Sequence, residues 1–79
     1  MKEQDLIDLG FERTDFDEPP FGHYYTYEFD RHLCLISSDS TDSDWWVELF
    51  DYQTFRIYDI EELKLFIELI QRNVRKDTL

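Results

Sequence analysis

Seventy-nine residues, 42% of them hydrophobic and 18% aromatic, with a net charge of −11, define one domain, residues 1–79. The chain is too short to divide its apolar residues between two cores and too rich in rings to be a disordered acidic tail. All the excess charge lies in residues 1–51, which hold 14 acids against Lys2, Arg13 and Arg31, while residues 52–79 hold five acids and five bases. Such a balance repels phosphate and anionic lipid, excludes autonomous nucleic-acid binding and membrane attachment, and either favours a basic partner or serves solubility alone.

In chain order, KEQDLIDLGF reads as a short helix with its stop signal. Gly10 takes the left-handed position after Leu9, and Phe11 folds back on Leu6. The segment ERTDFDEPPFG is polar and carries Pro19, Pro20 and Gly22, so it is expected as a loop, pinned to the body by Phe16 and Phe21. HYYTYEF (23–29) is the first strand and LCLIS (33–37) the second. DSTDSD connects to WWVELF (45–50), and DYQT to FRIY (55–58). Connections this short require an antiparallel meander, because parallel strands need crossovers of roughly a dozen residues.

Asp59 opens the best-marked element, an N-cap with Glu62 placed to close a capping box and with Arg72, Arg75 and Lys76 in the last turn. At about 100° per residue, Ile60, Leu63, Phe66, Ile67, Ile70 and Val74 form one stripe able to cover a sheet. Leu65 and Leu69 lie outside it. Either the first helix or the proline-containing loop covers them, or they form a homodimer or partner contact. The expected architecture is α+β, α-β-β-β-β-α: a four-stranded antiparallel meander with the long C-terminal helix on one face.

Alternation places Tyr25, Tyr27, Phe29, Trp45, Val47, Leu49, Phe55 and Ile57 toward that helix. Tyr24, Thr26, Glu28, Trp46, Glu48, Phe50, Arg56 and Tyr58 then face the other way. Two arrangements are open: a bare second face, or a three-layer sandwich in which the first helix covers it.

Chemistry is thin in this chain. Counted from Asp39 as a calcium loop, DSTDSDWWVELF has Asp44 where glycine is needed and Phe50 where glutamate is needed. His32 and Cys34, with His23 across the turn, fall short of a zinc set. Gly10 and Gly22 cannot build a phosphate loop, and no nucleophile elbow, kinase set or dinucleotide fingerprint occurs. Neither an enzyme nor a cofactor is expected. The single Cys34 points to a reducing compartment, no apolar run approaches a membrane span, and MKEQDLIDLG is too acidic for a signal peptide, so the expected location is the cytoplasm.

What remains is binding. Tyr24, Trp46, Phe50 and Tyr58 among Glu28 and Glu48 have the composition of a protein interface, and Asp39, Asp42 and Asp44 adjoin them. Acids would steer a basic protein surface inward and rings would hold it.

The order LIDLGFER, aromatic strands, then ELFDYQTFRIYDIEELKLFIELIQRN resembles small α-plus-four-strand proteins of phages and prophages, especially of Bacteroidota. That resemblance implies an inhibitor of host defence, anti-CRISPR-like in its sharpest version and directed at an RNA-guided RNA nuclease. It transfers no functional residues. The alternatives are a self-associating virion or assembly protein, using Leu65, Leu69 and a sheet edge, and a toxin-neutralising immunity protein.

Overall fold

The computed structural model describes residues 1–74. Helix α1 (Glu3–Leu9) leads into strands β1 (Glu12–Asp15), β2 (His23–Asp30), β3 (Leu33–Ser37), β4 (Val47–Leu49) and β5 (Tyr52–Ile57), and helix α2 (Ile60–Asn73) closes the described chain. The sheet order is β1-β2-β3-β4-β5, with every neighbouring pair antiparallel. The α+β meander expected from the short connections is therefore present, but with five strands, not four. The added strand is ERTD, expected as loop. All four of its residues are exposed, so no apolar alternation marks it. Backbone pairing with β2, from Glu12 opposite Thr26 to Asp15 opposite His23, makes it a strand. A short, charged outer strand also suits a sheet edge, which must not recruit other chains.

Helix α1 stops as its sequence directs. Gly10 sits at φ 96°, its N–H donates to Ile7 O at 3.0 Å, and the Phe11 N–H donates to Leu6 O at 3.0 Å. This pair of reversed bonds satisfies two carbonyls at the helix end, and Leu6 and Phe11 both enter the core. At the other end of the helix the Asp5 carboxylate accepts the Lys2 N–H at 2.8 Å. Helix α2 starts on Asp59, whose carboxylate accepts the Glu62 N–H at 3.0 Å.

One core unites both helices with one face of the sheet. Leu6 and Phe11, Leu63 and Ile67 of α2, and Tyr25, Leu35, Val47 and Ile57 of the sheet are buried together. Tyr27, Phe29, Trp45, Leu49, Ile60 and Phe66 pack around them, and Phe55 meets Phe66 with ring centroids 5.4 Å apart. The inward set expected from alternation is therefore observed except at Phe55, which touches Phe66 but stays 38% exposed. Because α1 and α2 share this face, the molecule has two layers, and the three-layer alternative does not occur. Leu65 and Leu69 remain uncovered at 67% and 56% exposure. Phe16 reaches the body, but Phe21, expected to do the same, is 70% exposed.

Candidate functional site

The second face of the sheet is built by register. Glu12, Thr26, Ile36, Glu48 and Arg56 are successive cross-strand partners and form one row over all five strands. Beside that row Trp46 approaches Tyr58 with ring centroids 5.9 Å apart, and Thr14 pairs with Tyr24, on which Phe16 lies at 5.5 Å. Glu28 pairs with Cys34 toward the opposite end of the same face. The structure thus brings Tyr24, Glu28, Trp46, Glu48 and Tyr58 onto one surface. Tyr58 is exposed, Tyr24 and Trp46 half-buried. Phe50 is not on this surface; it occupies the β4–β5 turn beside Asp51, whose φ is 70°.

Arg56 shows what this surface does with a cation. Its guanidinium carbon lies 4.5 Å from the Trp46 ring centroid, and its Nε is 3.5 Å from Glu48 Oε2. The Glu48 oxygen is shielded from solvent and makes no hydrogen bond, so its compensation is the ion pair. Nearby Tyr58, and then Glu48, hold the Arg56 proton more tightly than usual. The Trp46 ring beneath the guanidinium and the Glu48 carboxylate beside it hold the chain's own Arg56.

The acidic connection 38–46 is an organised turn. Asp39 Oδ1 accepts from the Thr41 N–H at 2.8 Å and from the Thr41 hydroxyl, while Asp42 Oδ2 accepts the Asp39 N–H at 3.0 Å. Asx bonding of this kind gives the backbone local partners without a ladder. The hydroxyls extend the ladder instead. Ser37 Oγ accepts the Tyr25 N–H at 2.8 Å, Ser40 Oγ accepts the His23 N–H at 2.9 Å, and Ser38 Oγ accepts the Trp46 N–H at 3.1 Å. Side chains here stand in for missing carbonyls, which explains why the stretch is so rich in serine.

The same turn forms one wall of a cleft of about 490 Å³, with Asp39 and Thr41 facing Phe16, Asp17, Glu18, Pro19 and Pro20. Asp17 and Glu18 were not singled out in the sequence. Their contribution depends on the 16–22 loop folding back, which the Phe16 N–H secures by donating to Gly22 O at 2.9 Å. Gly22 has no room for a side chain, since a Cβ would lie 2.7 Å from Ser40 Oγ. Asp42 and Asp44 are exposed on the turn beside the cleft.

The histidines and Cys34 do not converge. His32 is exposed in the β2–β3 turn, and Cys34 lies beside Glu28, its thiol pushed up by burial and then by that carboxylate. His23 Nε2 is instead 2.5 Å from Glu3 Oε2, the oxygen that also accepts the Tyr25 hydroxyl at 2.6 Å. Trp45 packs on both rings, 6.0 Å from His23 and 5.7 Å from Tyr25. Glu3 is held below the usual carboxylate range by Tyr25 first and His23 second, and Tyr25 is pushed up by burial and then by Glu3. This cluster pins the first turn of α1 to β2. Twenty or more residues separate its partners, so no local spacing announces it. Among the described residues no group of three or more His, Cys, Asp or Glu side chains is placed to hold a metal, and no helix is long and apolar enough to cross a membrane.

No protein-family model, curated protein or solved structure matches this chain.

Proposed function

We propose that this chain is a non-enzymatic acidic binding protein that receives a basic protein surface on the uncovered sheet face and the adjoining cleft. Its role in this reading is that of a phage-type inhibitor of a nucleic-acid-handling host-defence enzyme, anti-CRISPR-like and directed at an RNA-guided RNA nuclease. The observation that carries the reading is the bare face itself: both helices lie on the opposite side, leaving Tyr24, Trp46 and Tyr58 with Glu28 and Glu48 outside the core. The stacking of Arg56 on Trp46 next to Glu48 supports arginine as the side chain the face is suited to take. Nucleases that hold a guide RNA display such side chains along their binding channels.

Asp17, Glu18, Asp39, Asp42 and Asp44 supply the long-range attraction, and the rings supply the contact that persists. The two contributions separate kinetically. With immobilised inhibitor and an RNA-guided RNA nuclease in solution, the triple change Asp39→Asn, Asp42→Asn and Asp44→Asn should slow association severalfold with little effect on dissociation. Asparagine keeps the acceptors that the turn uses. Trp46→Ala should mainly speed dissociation. Binding indifferent to all of these changes, or no binding to nucleases of this class, removes the reading.

A further inference from the structure

Helix α2 carries a second unpartnered surface, at the electrically neutral end of the chain. Leu65 and Leu69, 67% and 56% exposed, form a ridge with a groove on each side. The inner groove, about 450 Å³, has Phe55, Arg56, Ile57 and Phe66 along its wall. The outer one, about 230 Å³, is bounded by Glu68 and Arg72. Glu62 and Arg72 continue the ridge at either end. The spacing 62-65-69-72 is the three-four alternation of a helix–helix seam, confined to an arc of about 80° at 100° per residue. The pattern is acid, leucine, leucine, base.

We propose that this ridge is the interface of a homodimer in which two copies of α2 pack antiparallel about a two-fold axis level with Ile67. Residues whose numbers lie equally far on either side of 67 then face each other. Leu65 meets Leu69 of the second copy, and Glu62 meets the second copy's Arg72, each contact occurring twice. A parallel pairing instead sets Glu62 against Glu62 and Arg72 against Arg72. The charge order therefore selects the antiparallel dimer, whose contacts are self-complementary as an isologous interface requires.

Location favours the same partner. Two bodies of charge −11 repel one another over most orientations, and the excess lies entirely in residues 1–51. Residues 52–79, which contain the ridge, carry equal numbers of acids and bases, so this is where two copies can approach at least cost. Arg72 already pairs with Glu68 of its own helix at 2.5 Å, and the second copy's Glu62 adds a second carboxylate to it. A ridge of two leucines flanked by two grooves sits at the small end of specific interfaces, so the dimer forms at roughly micromolar to tens of micromolar protein. Of the bare sheet face, the two grooves include only Arg56 and leave Tyr24, Trp46 and Tyr58 outside.

Sedimentation velocity over a concentration series tests this. The wild-type chain should move from monomer to dimer, and Leu65→Glu should remain monomeric. Glu62→Lys and Arg72→Glu should each weaken the dimer about tenfold, since each sets like charges together twice. The double variant E62K/R72E, which restores opposite charges in the antiparallel register alone, should return to within about threefold of wild type. Far-UV circular dichroism checks that each variant is folded, and the charge-exchange series decides the matter if Leu65→Glu disturbs the helix. A wild-type chain monomeric throughout, a dimer indifferent to Leu65→Glu, or a double variant no better than its parents overturns the proposal.

Discussion

Glu3 Oε2, shared by the Tyr25 hydroxyl and His23 Nε2, gives the fold a pH signature that one substitution can isolate. Glu3 titrates below its ordinary 4.5 in the folded chain, so its contribution is complete above pH 4.5 and is lost as pH falls through the lower, folded value. Tyr25 titrates above its ordinary 10.0, so its contribution is complete below pH 10.0 and is lost as pH rises through the higher value. The plateau lies between. Tyr25→Phe removes the hydroxyl that both shifts depend on and should cost about 1 kcal/mol at neutral pH, at the modest end for a charged acceptor because the carboxylate is 38% exposed. Urea denaturation of both proteins should show the difference shrinking as pH falls below 4.5 and again as it rises above 10.0. A difference constant across that range would mean that the hydroxyl acts through something other than its bond to the Glu3 carboxylate.

Helix α2 shows the same economy one level up. Its N-terminus depends on one side chain, since the Asp59 carboxylate is the hydrogen-bonding cap of Glu62 N–H. Asp59→Ala should therefore destabilise the fold by about 1 kcal/mol, measured by chemical denaturation, and Asp59→Asn by less. This helix was legible in the sequence because its cap, apolar stripe and Arg72 in the last turn agree, Arg75 and Lys76 lying outside the described residues, and the structure places Leu63 and Ile67 in the core as the stripe requires. The stop of α1 was legible for the same reason: Gly10 and Phe11 do what their residue types permit. Strand β1 was not, because Glu12 to Asp15 owe their conformation to β2 and bury nothing. Within the candidate site, the face-by-face sorting of Tyr24, Trp46 and Tyr58 followed from alternation, whereas Asp17 and Glu18 join the cleft only through a loop closure that alternation cannot express. The covering of the helix side by both helices was equally invisible, since a seven-residue helix has one buried side chain, Leu6, with which to declare its partner.

Over the whole molecule charge is polarised, and the two proposed surfaces should answer salt in opposite senses. The rings and acids of the sheet face belong to residues 1–51 apart from Tyr58, so a basic partner is drawn in by a field of −11 that salt screens. Raising ionic strength from about 0.02 to 0.15 M shortens the screening length from about 20 to 8 Å. Association with the partner should slow by about tenfold or more, with dissociation little changed. Two copies of the chain meeting through α2 face the reverse situation, since the long-range term between them is repulsive and the attractive Glu62–Arg72 contacts are short-ranged. Over the same interval screening relieves the repulsion between two −11 bodies more than it weakens pairs at contact, so dimerisation should tighten. Above about 0.5 M the remaining pair attraction also fades, and the leucine ridge sets the dimer's strength. Measuring the partner's association rate and the monomer–dimer midpoint in one salt series checks both surfaces at once. If dimerisation weakened as association slowed with rising salt, a single acidic surface would be serving both contacts, and the separation of the sheet face from the α2 ridge would fail.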